Sequence, residues 1–261
     1  MASMTRFEPA VDTGGRVHPV SKIAEVTLAF WILKIIATTL GEMSGDFIAH
    51  TMNLGYVVGL SITSTLLLIV LTLQIRADRF HPALFWAAIV ATTTAGTEVS
   101  DLMDRTLGLG YVAGSVILAT GLLATLAVWY YRDRDLSVDP IIEKDAEIMF
   151  WIAVVFSNSL GTAFGDALVD VVGFSYVQGA FVTAGIIAVV LLLHYATKVD
   201  KTVLFWIAFI FTRPFGATFG DFLTKPLASG GLDLGTLQAS FVALALLATV
   251  LFASGRLATT R

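Results

Sequence analysis

The sequence has no cysteine among its 261 residues, which removes disulfides, thiolate metal sites and cysteine nucleophiles from consideration. Charge is scarce too: Asp, Glu, Lys and Arg make up 14% of the chain, the formal net charge is −4, and no basic tract occurs. Nucleic acid is therefore not an expected partner. The zincin helix motif, the Gly-rich phosphate loop and the nucleophile elbow are all missing, so neither an enzyme nor an organic cofactor is expected. A Ser among glycines, such as Ser44, carries no protease reading. Residues 1–22 are polar and lack the short apolar stretch of a cleaved signal, and they read as a mobile cytoplasmic tail.

Apolar residues make up 56% of the chain, with a mean hydropathy of +0.82. They fall in runs long enough to cross a bilayer, which takes roughly 20 residues each. Eight segments qualify: Ile23–Gly45, Tyr56–Ile75, Pro82–Asp101, Tyr111–Tyr131, Ile148–Asp166, Tyr176–Leu193, Val203–Phe222 and Leu234–Ala253. Turn or charge signals such as RADRFHP and PLASGGLDLG separate them. The tails and the joints after the second, fourth and sixth spans hold twelve Lys and Arg, against Arg105 and Lys225 alone in the opposite joints. That asymmetry predicts both termini on the cytoplasmic side of the cell's inner membrane. The fold class is all-α, a polytopic membrane domain over 23–253 with a short tail at 254–261.

Four segments align without a gap: FWILKIIATTLGEMSGDFI, FWAAIVATTTAGTEVSDLM, FWIAVVFSNSLGTAFGDAL and FWIAFIFTRPFGATFGDFL. Each has Phe-Trp, then Gly ten residues after the Trp, then Asp five residues later. The repeats run over about 23–79, 80–135, 145–199 and 200–253, two spans each. Two spans per unit make all four units parallel. LGYVVG, LGYVAG, FSYVQG and LGTLQA open the second helix of each unit. On these motifs the chain resembles bacterial multi-pass membrane proteins built from four tandem copies of a two-helix, Trp-containing repeat, the uncharacterised membrane-anchored proteins. The resemblance implies topology and no activity.

Trp31, Trp86, Trp151 and Trp206 sit near the start of each odd helix, where the ordinary reading is an aromatic-belt anchor at the membrane interface. Gly41/Gly45, Gly96/Ser100, Gly161/Gly165 and Gly216/Gly220 are small-xxx-small frames, which let membrane helices approach closely around a common axis. Asp46, Asp101, Asp166 and Asp221 follow the Trp by 15 residues, about 22 Å of helix. Two readings stand for them. Either the helix breaks near Ser44-Gly45 and its equivalents and Asp caps a new short helix, or the acids line an ion path.

The surroundings of the acids form a stripe at i, i+4, i+8 and i+12. Thr38, Glu42, Asp46 and His50 carry it in the first repeat, and Thr93, Thr97, Asp101 and Arg105 in the second, with Glu98 beside it. Asn158, Thr162, Asp166 and Asp170 follow in the third; Arg213, Ala217, Asp221 and Lys225 in the fourth. Asp101–Arg105 and Asp221–Lys225 are expected ion pairs, whereas Asp46–His50 and Asp166–Asp170 present ligands to a cation. His50 also reads as an ordinary loop residue. Lys34 reads as snorkelling to the cytoplasmic interface. Arg213, followed by Pro214, is deeper and needs a carboxylate, with Glu42 or Glu98 expected. Lys34 and Arg213 are the candidate charge partners or switches.

An oxygen-rich set suits Mn²⁺ or Mg²⁺ rather than Cu(I). Glu42, Asp46, Glu98 and Asp101 are the expected metal ligands. Asp166, Asp170, Asp221 and His50 extend the site or path. The reading that follows is a proton-coupled transporter of a divalent cation such as manganese, with export as the expected direction. The alternatives are a cation channel and a non-transporting scaffold. The lipid bilayer, the cation and protons are the expected partners; the oligomeric state is left open.

Overall fold

The computed structural model describes residues 10–11, 17–18, 21–138 and 140–259. Most of the expected N-terminal tail lies outside them. Ala10–Val11 pairs antiparallel with Val17–His18; the rest is helical. The long helices are α1 (Leu28–Asp46), α2 (Gly55–Arg76), α3 (Pro82–Asp101), α4 (Gly110–Asp133), α5 (Lys144–Asp166), α6 (Tyr176–Ala196), α7 (Lys201–Thr224) and α8 (Thr236–Thr259).

Local chemistry starts several of them. Thr27 caps α1 by accepting from the Phe30 N–H, Pro82 opens α3, Ser175 and Gln178 form a capping box at α6, and Asp200 accepts from the Thr202 and Val203 N–H groups at α7. Each satisfies or removes an amide that a helix start leaves unpaired.

Among the described residues, seven helices are long and apolar enough to cross a membrane. The eighth, α3, has the same length and the same place in its repeat but carries Thr92, Thr93, Thr94, Thr97 and Glu98, all buried. Its polarity is tolerated because it faces protein rather than lipid.

The odd helices form the inside. In their central stretches α1, α5 and α7 are 61–67% buried, against 17–22% for α2, α4, α6 and α8. The inner helices close a ring in which α1 packs on α3, α3 on α5, α5 on α7, and α7 on α1. Each outer helix leaves its own repeat and packs on the inner helix of the next: α2 on α3, α4 on α5, α6 on α7, and α8 back on α1. Where α8 diverges from α7, an apolar groove of about 370 Å³ remains, lined by Met43, Phe219, Leu246 and their neighbours.

The glycines draw the ring tight. A side-chain carbon added at Gly41 would strike Thr93, at Gly161 Arg213 and at Gly216 Thr38, and at Gly96 it would press on Asn158 and Ser159. The glycine of each repeat thus faces the residue seven after the Trp of the following repeat, and the fourth repeat meets the first. The Thr38 hydroxyl donates across this contact to the Thr212 carbonyl, and Thr93 to Ala37, both at 3.2 Å. Close backbone approach and interhelical hydrogen bonds are what hold membrane helices together.

The Phe-Trp pairs repeat the same offset. Phe30 packs on Trp86 with ring centroids 5.5 Å apart, Phe85 on Trp151 at 5.6 Å, Phe150 on Trp206 at 6.2 Å and Phe205 on Trp31 at 5.6 Å. Trp86, Trp151 and Trp206 are buried, and only Trp31 is half-exposed. This corrects the aromatic-belt expectation: the Phe and Trp rings pack on one another in a closed collar at the start of the inner helices.

Candidate functional site: a ring of aspartates on the bundle axis

The four inner helices bring their polar stripes to one axis, level by level from the aromatic collar. Lys34 lies next to the collar and is 0% exposed. It does not snorkel. Its Nζ donates to Asn158 Oδ1 at 3.1 Å and sits 4.0 Å from the centroid of the Phe209 ring. The stem points inward because α1 is an inner helix, so an interface is not within reach. Asn158 in turn donates to Thr92 Oγ1 at 3.0 Å.

One level on, Arg213 is also 0% exposed. Its Nη2 donates to Glu42 Oε2 at 2.7 Å, Thr97 Oγ1 at 2.5 Å and Thr162 Oγ1 at 2.6 Å. From α7 it therefore reaches α1, α3 and α5 at once, which places the guanidinium across the interior of the ring. Helix α7 runs unbroken through Pro214. Of the two carboxylates expected for Arg213, Glu42 is the partner. Glu98 turns away: both its oxygens lack hydrogen-bond partners among the described residues, and it faces Gly59 of α2.

Beyond Arg213 lie Asp46, Asp101, Asp166 and Asp221, all buried. The capping reading fails here, because the backbone does not break before them. In three repeats the helix continues past Asp as a wider π-helical turn, Phe47–Thr51, Leu102–Thr106 and Ala167–Val171, with no side-chain cap. Such turns occur frequently at functional sites.

Two cations knit the ring. Arg105 contacts Asp101 of its own helix at 3.3 Å and Asp166 of the next repeat at 3.0 Å. Lys225 contacts Asp221 at 3.2 Å and Asp46 at 2.6 Å. Burial disfavours the Lys225 ammonium, but Asp221 and Asp46 outweigh that and hold it above the usual lysine range. The expected intrahelical pairs are present, and each cation also bridges to a neighbouring repeat. Two gaps in the ring are thus closed, and two are not.

In the Asp46–Asp101 gap stands His50, its side chain 45% exposed and its Nε2 3.7 Å from Asp46 Oδ1. Tyr56 OH lies 2.9 Å from the same nitrogen, and Arg105 donates to Tyr56 at 3.4 Å. Asp46, His50 and Asp101 offer ligand atoms within 4.8 Å of one another, as do Glu42, Asp46 and Asp221. Of the expected metal set, Asp46 thus lies with Asp101 and His50 in one group and with Glu42 and Asp221 in the other. Glu98 belongs to neither group, since it sits one residue off the axial stripe. Asp170 is exposed and accepts from Tyr111 OH at 2.7 Å; it belongs to neither group either. Tyr56 and Tyr111 are the functional candidates that the sequence reading passed over, although LGY recurs at the start of both helices.

A second polar cluster lies at the collar end. Glu147, fully buried, takes the Lys22 ammonium, Gln74 Nε2 at 3.0 Å and Trp151 Nε1 at 3.4 Å, while Lys22 also donates to the Ile75 carbonyl at 3.0 Å.

Fold and site together define a multi-pass helical membrane protein whose four repeats close on themselves. The chain belongs to the family described as Repeat of Unknown Function (DUF347), whose model matches residues 29–80, 84–135, 149–200 and 204–259. No curated protein and no solved structure matches it.

Proposed function

We propose that this protein is a secondary transporter of a divalent inorganic cation, manganese being the first candidate, with export as its direction and protons as the coupling ion. The observation that carries the reading is the incomplete bridging of the aspartate ring. Four buried acids share two built-in cations, Arg105 and Lys225. As ionised groups they leave two negative charges, which one dication balances. Buried charge without compensation is costly, so an ion entering the ring is favoured by the acids already there. Oxygen donors with one imidazole suit Mn²⁺.

Access is from one end. Arg105, Lys225 and His50 are partly exposed, whereas Arg213, Lys34 and the aromatic collar fill the axis beyond the ring. Closure at three successive levels speaks for alternating access over a channel, with release of Glu42 from Arg213 as the step that opens the inner side. The positive-residue asymmetry orients the ring outward, in the cell's inner membrane. A non-transporting scaffold is the second reading, and the Arg105 and Lys225 bridges favour it.

The test is Mn²⁺ flux in proteoliposomes under an imposed pH gradient. Saturable, proton-dependent flux that is lost in Asp46→Asn and Asp101→Asn supports transport. Unchanged flux in both variants sinks it. Absence of both flux and cation-dependent thermal stabilisation favours the scaffold.

A further inference from the structure

Glu98 is an acid that the ring does not use. It is 1% exposed on α3, both oxygens lack hydrogen-bond partners among the described residues, and it faces α2 at Gly59. A side-chain carbon at Gly59 would come within 2.7–2.9 Å of the Glu98 carboxyl, so the glycine makes the room that the carboxyl fills. The charged groups that bear on it are Asp46 and Glu42 of α1, both acids. The cations nearest those acids are spoken for: Arg213 pairs with Glu42 and Lys225 with Asp46. From α2 and α5, no ion pair reaches Glu98 among the described residues.

An ionised carboxylate in such a place carries the full cost of desolvation with nothing to offset it; a neutral carboxylic acid does not. We propose that Glu98 is a proton-binding site held off the axis between α2 and α3, and that its proton leaves when a divalent cation occupies the aspartate ring. The first half stands on the geometry alone. The second rests on the cation reading: a dication at Asp46 and Glu42 adds positive charge beside Glu98, which favours its carboxylate over the neutral acid. Proton and cation then compete without sharing a ligand. The proton is bound at a carboxyl oxygen and released to solvent, with no covalent change elsewhere.

Infrared spectroscopy of the purified full chain at neutral pH tests the site. The carbonyl band of a protonated carboxylic acid is expected in the wild type and lost in Glu98→Gln, which keeps the shape of the neutral acid. No such band in the wild type, or one that survives unchanged in Glu98→Gln, overturns the proposal. Adding Mn²⁺ to weakly buffered protein tests the linkage with a pH indicator. Proton release in the wild type that falls in Glu98→Gln supports it; equal release in both overturns it. A Glu98-dependent band without any Mn²⁺ binding leaves the proton site standing and removes the cation reading.

Discussion

Arg213 of α7 donates to Glu42 of α1 at 2.7 Å across the interior of a ring of four helices. Neither side chain reaches solvent. Breaking such a pair by removing one partner strands a buried charge and costs about 3–5 kcal/mol, whereas replacing both with apolar residues costs far less. Arg213→Leu alone is therefore expected to unfold at much lower denaturant or temperature. Arg213→Leu with Glu42→Leu recovers most of the loss. Unfolding in detergent checks this, and equal stability of single and double variants contradicts it.

On the proposed reading Lys225 stands where a cation would meet Asp46 and Asp221, and these two carboxylates hold its ammonium above the usual lysine range. Deleting the charge vacates the position. Lys225→Met is expected to bind Mn²⁺ about tenfold tighter or more, equivalent to about 1.4 kcal/mol. Calorimetry or thermal shift across a Mn²⁺ series measures it. A weaker affinity in the variant means that the lysine organises the acids rather than occupying their site.

The ring contacts predict a ranking of glycines. A methyl group at Gly216 meets Thr38, including its backbone carbon at 2.9 Å, whereas at Gly185 nothing lies within 4 Å. Overpacking a tight contact costs about 1–3 kcal/mol. Gly216→Ala is expected to destabilise by that amount, and Gly185→Ala to leave stability level or slightly raised. Equal effects at the two sites are inconsistent with a closed ring.

Glu147 holds Lys22, Gln74 and the Trp151 ring nitrogen at the collar end. Lys22→Met leaves its carboxylate with neutral donors only. A loss of about 3 kcal/mol or more is expected, reduced when Glu147→Gln is added. Limited proteolysis and thermal unfolding of the two variants report it. Unaltered stability in Lys22→Met makes the contact incidental.

Much of this arrangement is legible in the sequence. The repeats, the spans, the glycine faces and the i, i+4 stripe predict an axis, and Asp101–Arg105 and Asp221–Lys225 follow from spacing alone. Glu98 reads from the sequence as one of the metal ligands, although it follows Trp86 by twelve residues where Glu42 follows Trp31 by eleven, and one residue turns a helical side chain by about 100°. That step separates an axial acid from one that faces a neighbouring helix. The role of the tryptophans was not legible, because Phe-Trp at a helix start satisfies a membrane interface and an internal collar equally. Lys34 is similar: its long stem permits snorkelling, and only the closure of the ring shows that there is no surface to reach. Which outer helix packs on which inner one is a long-range fact that no local spacing encodes, and the same holds for Lys22 finding Glu147 across 125 positions.

The displaced packing of the outer helices has a consequence for how such a chain arises and grows. In a solenoid, each added copy finds the same open edge, and length is unlimited. Here the last helix occupies the flank that the first inner helix leaves bare, so no edge is left over. A three-copy chain leaves one flank uncovered and a five-copy chain has one copy with nowhere to dock. Closure of the ring ties the architecture to four copies. A two-copy ancestor would have reached the same closure only by pairing with itself.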